Sequence, residues 1–132
     1  MSAPIEGGCH CRAVRYSIDG PFKYGTYCHC RICQLTMGAP VSAYASVASS
    51  DFHFIRGTPK LYRSSGAAAR EFCGECGAQL TFHRDGKDRI GINIVTLDDP
   101  SIVEPTMHIW TESRIPWFET ADEHPRRKRV ES

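Results

Sequence analysis

No run of apolar residues in this chain approaches the roughly 20 that a bilayer-spanning helix needs, because Arg, Asp, Gly or Pro interrupts each one sooner. A helical membrane span is thereby excluded. An excess of one charge is missing too: 16 Lys+Arg stand against 15 Asp+Glu, a formal net charge of +1. So balanced a chain has no broad electrostatic reason to seek nucleic acid or an anionic bilayer, and small-molecule partners fit better. The N-terminus, Met1-Ser2-Ala3-Pro4-Ile5-Glu6-Gly7-Gly8, has neither a basic start nor an apolar stretch and does not read as a secretory signal. A cytoplasmic location is expected.

Helical periodicity is also scarce, and Gly and Pro punctuate the chain at short intervals, which favours a mainly β domain. With 132 residues, 41% of them apolar, the chain is the size of one domain with a real core. Strand alternation runs through Val14, Tyr16 and Ile18, and again through Val41, Ala43, Ala45 and Val47. It recurs at Phe52 and Phe54, at Leu80 and Phe82, at Ile90, Ile92 and Ile94, and at Met107 and Ile109. Two short helical pieces are expected, over Arg31 to Thr36 and over Asp99 to Val103, where Pro100 suits a first helical position. Tyr24, Tyr27, Phe52, Phe54 and Trp110 sit at strand spacing and read as core. The domain is expected to span residues 1–120, with 121–132 a polar, basic and solvated tail around Arg126-Arg127-Lys128-Arg129.

What the chain does have is seven cysteines. In a reducing compartment they are no disulfide framework, and the odd count would leave one unpaired. Cys73-Gly74-Glu75-Cys76-Gly77 is a knuckle in which two thiolates converge on one metal, with glycines for the tight turn. It needs a second pair. Cys9 and Cys11, two apart in an extended segment, point to the same side and can supply it. Cys28, Cys30 and Cys33 can hold an ion by themselves with a fourth position open, the pattern of catalytic rather than structural zinc. The economical partition is therefore a closed site of Cys9, Cys11, Cys73 and Cys76 and an open site of Cys28, Cys30 and Cys33. Alternatives remain: His29, His53, His83 or His108 as a fourth protein ligand, of which His29 is poorly directed, or a Cys30–Cys33 dithiol switch.

Gly8-Cys9-His10-Cys11 with Val14-Arg15-Tyr16, then Cys28-His29-Cys30-Arg31-Ile32-Cys33, then Arg70-Glu71-Phe72-Cys73-Gly74-Glu75-Cys76-Gly77 resemble the glutathione-dependent formaldehyde-activating enzyme family. Leu97-Asp98-Asp99-Pro100 and Trp117 continue the resemblance. It implies a zinc-containing β-tent fold with little helix and two zinc ions per chain. Of these, one is structural, on Cys9, Cys11, Cys73 and Cys76, and one catalytic, on Cys28, Cys30 and Cys33. The implied activity is that of a carbon–sulfur lyase joining a small thiol, glutathione or similar, to an aldehyde such as formaldehyde. The chain departs from the family pattern at Arg12, where Gly is frequent, and at Ala78, where Ser or Thr is. Three thiolates give such a zinc site a formal charge of −1, so an incoming thiolate needs positive charge nearby, for which Arg12, Arg31, Arg63 and Arg70 are candidates. A zinc-stabilised binding module that reaches a partner through its basic tail is the non-enzymatic alternative.

Overall fold

The computed structural model describes residues 4–130. Strands β1 (Ile5–Gly8), β2 (Arg15–Ile18) and β5 (Phe52–Arg56) form a three-stranded antiparallel sheet in the order β1-β2-β5. A seven-stranded sheet holds β3 (Tyr24–Cys28), β4 (Ser42–Ala48), β6 (Lys60–Ser65), β7 (Ala68–Phe72), β8 (Gln79–Arg84), β9 (Arg89–Asn93) and β10 (His108–Ile109). Its order is β10-β3-β4-β9-β8-β7-β6, with only β10 and β3 parallel. The single α-helix among the described residues is α1 (Arg31–Met37). This is a mainly β single domain, as the composition and the resemblance implied.

Period-two alternation decides what each strand does. Tyr16 and Ile18 from the small sheet, with Val14 just before β2, pack with Ala45, Val47, Ile90 and Ile92 from the large one, together with Leu80, Ile94 and Leu97. These side chains have left water, which drives the two sheets together. The intervening residues of the large sheet, among them Tyr44 and Ser46 on β4, Arg70 on β7, Phe82 on β8 and Gly91 on β9, line a cavity instead. One sheet thus has a core face and a cavity face.

Differences from the sequence reading have physical causes. β4 begins at Ser42 rather than Val41, and Ile94 leaves β9 to open a 3-10 turn, Ile94–Thr96. The expected helix at residue 31 forms and runs to Met37, while the one near Asp99 is a 3-10 turn over Pro100–Ile102, capped by the Asp99 side chain. The β6–β7 hairpin was not anticipated; β6 is an edge strand, five of its six residues are exposed, and an exposed strand leaves no alternation to read. Tyr24 is 44% exposed and lines the cavity rather than the core.

The stretch expected as a solvated tail is docked in part. His108 N–H donates to Pro125 O at 2.8 Å, Arg127 N–H to His108 O at 2.9 Å, and Thr111 N–H to Arg127 O at 3.0 Å. Polar composition concealed this, because backbone pairing asks nothing of the side chains.

Candidate functional site

Four sulfurs from two distant segments of the chain meet. The Cys9–Cys11 turn follows β1, and the Cys73–Cys76 knuckle joins β7 to β8. Cys11 Sγ lies 3.7 Å from both Cys9 Sγ and Cys73 Sγ. A tetrahedron with Zn–S near 2.3 Å has sulfur–sulfur edges of about 3.8 Å, so the donor set fits zinc in both type and size. Val14 N–H donates to Cys9 Sγ at 3.3 Å and Glu75 N–H to Cys73 Sγ at 3.4 Å, the support that sulfur carrying negative charge requires. Backbone N–H groups of Cys11 and Ala78 lower the Cys76 thiol to about 6. Of the two knuckle glycines, Gly77 takes the left-handed φ of +80° that the turn needs. Arg12 takes φ +68° at the turn beside Cys11, a conformation that glycine would adopt without the cost of a Cβ.

Cys28 ends β3, Cys30 caps α1, and Cys33 lies in its first turn. Their sulfurs lie within 4.8 Å of one another. Cys33 N–H donates to Cys30 Sγ at 3.3 Å, so the thiol that caps the helix is also a candidate ligand. Among the described residues no histidine or carboxylate joins these three sulfurs. His29, 1% exposed, turns away, its Nε2 2.8 Å from His108 Nδ1. His108 Nε2 in turn faces Asp122 at 3.1 Å, and His53 pairs with Asp19 at 3.0 Å.

The three cysteines sit at the floor of a cavity of about 390 Å³. Phe82, Ile109 and Trp110 supply apolar wall, and Arg31, Arg84, Lys87 and Arg89 surround it with positive charge; among the described residues no Asp or Glu lines it. Arg70 is the innermost cation. Its Nη2 donates to Cys33 Sγ at 3.5 Å and its Nε to Ser64 Oγ at 3.1 Å. Its Nη1 donates to Tyr44 Oη at 3.2 Å and, with the Gln79 amide turned oxygen-inward, to Gln79 Oε1 at 3.1 Å. The guanidinium also lies over the Phe82 ring, 4.9 Å from its centroid. Hydrogen bonds from Cys28 and Cys30, reinforced by Arg70, lower the Cys33 thiol, while its neighbours raise that of Cys28.

Of the arginines singled out from sequence, Arg70 and Arg31 reach this cavity. Arg12 belongs to the four-cysteine turn, and Arg63 pairs with Asp85 at 2.6 Å on the exposed edge. Arg84, Lys87, Arg89 and Tyr44 were missed. A signal existed: Arg84 shares strand parity with Phe82, and Arg89 with Gly91.

Comparison with known proteins agrees with this geometry. A family model described as glutathione-dependent formaldehyde-activating enzyme matches residues 4–113. A Halomonas elongata protein provisionally named for that activity is 25% identical over 125 residues, 87% of this chain and 80% of that one. An uncharacterized lyase of Schizosaccharomyces pombe is 30% identical over 89 residues, 67% of this chain and 64% of that one. The crystal structure of a Rhodobacter sphaeroides protein superposes with a TM-score of 0.61 at 27% identity, covering 76% of this chain and 91% of that one. With the family match running across both cysteine clusters and the strands that carry them, the chain belongs to the glutathione-dependent formaldehyde-activating enzyme family.

Proposed function

We propose that this protein is a zinc-dependent carbon–sulfur lyase that adds an anionic thiol of the glutathione type to a small aldehyde such as formaldehyde, and reverses the addition. The observation that carries the reading is the three-cysteine cluster, which lacks a fourth protein ligand among the described residues and lies at the floor of a cation-lined cavity. Cys9, Cys11, Cys73 and Cys76 would hold a structural ion, and Cys28, Cys30 and Cys33 the catalytic one. Zinc at the latter would keep a thiol deprotonated and polarise a carbonyl.

The chain's own residues supply the rest. Arg31, Arg84, Lys87 and Arg89 attract the carboxylates of the thiol and orient its sulfur inward. Phe82, Ile109 and Trp110 displace water from the reacting end, which strengthens every charge interaction there. As sulfur bonds to the carbonyl carbon, the carbonyl π pair moves to oxygen, and the proton given up by the thiol ends on that oxygen. Elimination runs the same changes backwards.

The test is exchange NMR with ¹³C-formaldehyde and glutathione. The protein is expected to accelerate exchange between aldehyde and adduct, and glutathione diethyl ester, which lacks both carboxylates, is expected to be a poor substrate. Exchange no faster than the background with zinc-replete protein would remove the proposal. The binding-module alternative has less support, because two of the basic residues it needs are engaged: Arg126 with Glu119 and Asp122, and Arg129 with Glu112 at 2.6 Å.

A further inference from the structure

Buried charges in proteins are paired, and Arg70 is buried to 3% exposure without a carboxylate partner among the described residues. None of the ion pairs among the described residues includes it. Its neighbours are the hydroxyls of Ser64 and Tyr44, the amide oxygen of Gln79, the face of Phe82 and the Cys33 sulfur. Hydroxyls, an amide and a ring satisfy its N–H groups but supply no opposite charge. The sulfur cluster does.

Three thiolates and one divalent ion sum to −1, and a fourth anionic ligand would bring the centre to −2 in a buried site. With Arg70 beside Cys33, that total falls back to −1. We propose that Arg70 is the built-in countercharge of the three-cysteine centre and makes its fourth position selective for an anionic soft ligand over a neutral one. The proposal rests on the reading that Cys28, Cys30 and Cys33 hold a divalent metal, and it concerns a positioning residue for that ligand. A unit charge about 6 Å away at an effective dielectric near 20 changes the affinity for an anion roughly a hundredfold. A neutral ligand gains almost nothing from it. Glu71, the next residue, does not compete, because its carboxylate accepts from Thr81 Oγ1 at 2.9 Å.

The experiment uses the full chain loaded with cobalt(II), whose visible d–d bands report ligation, titrated with thiocyanate as anion and with imidazole as neutral ligand. Arg70→Gln is expected to weaken thiocyanate binding roughly a hundredfold and imidazole binding less than threefold, and Arg70→Lys to recover most of the anion affinity. Equal losses for both ligands, no loss for thiocyanate, or no recovery with lysine would overturn the proposal. So would wild-type protein that takes up imidazole but no thiocyanate. Should Arg70→Gln fail to fold, Arg70→Met, which can still pack on Phe82, carries the same comparison. Thiol–aldehyde exchange is not part of the readout, so failure of the lyase reading and failure of this one are distinguishable.

Discussion

Replacing Cys9 and Cys73 together by serine removes one sulfur from each side of the four-cysteine cluster, and replacing Cys28 and Cys33 together takes two of the three sulfurs from the other. All four residues are buried, at 6%, 1%, 6% and 4% exposure, so the cost of burying a serine is nearly matched between the variants. What differs is the loop each cluster closes. Cys11 and Cys73 are 62 residues apart in sequence, and a cross-link over that span removes about 4 kcal/mol of unfolded-chain entropy. A cross-link from position 28 to 33 removes about 2 kcal/mol by the same relation. For a chain of 132 residues these become melting-temperature losses of about 15 °C and about 7 °C. Calorimetric melts of the zinc-replete variants, with metal content measured alongside, read the contrast directly. Equal melting temperatures, or the reverse order, would refute the division into a cluster that ties distant segments together and one that closes only a short loop.

Two further outcomes are expected. Arg12→Gly relieves a left-handed backbone at φ +68°, and because glycine also loses more entropy on folding the net gain in denaturant melts is about 0.5–1 kcal/mol; a loss would mean that the arginine side chain matters more than its backbone. Asp122 has its carboxyl lowered by Thr120, with the His124 N–H and His108 adding to the effect, so its contribution is complete above the ordinary carboxylate range and fades as pH falls through its lowered value. Protection factors of the His108, Thr111 and Arg127 amides, measured against the intrinsic exchange rate at each pH, should therefore fall in acid before those of the core, and Asp122→Asn should lower them at neutral pH; unchanged protection in that variant would show that the docked segment holds without the carboxylate.

Some features of this protein were legible locally. A CxxC knuckle between strands and a CxCxxC segment carry their geometry in their spacing, because thiolates two or three residues apart converge on one ion whatever the rest of the chain does. The alternation at Val14, Tyr16 and Ile18 and at Ile90 and Ile92 likewise reports a strand with one buried face. Tertiary structure alone decided what the other face meets. Alternation separates Tyr44 and Phe82 from Ala45 and Ile92, but only the lean of one sheet on the other makes the second set core and leaves the first around a cavity. Pairing across distance is equally invisible in a linear pattern. Arg70 on β7 finds Cys33 on α1, 37 residues away, and His108 on β10 finds the backbone of Pro125 and Arg127. The sequence by itself determined the local donor groups, Cys9 with Cys11, Cys28 with Cys30 and Cys33, and Cys73 with Cys76, since short-range geometry governs each; the meeting of the first group with the last, and the charge around the open set, were decided by strands that come together only in the folded chain.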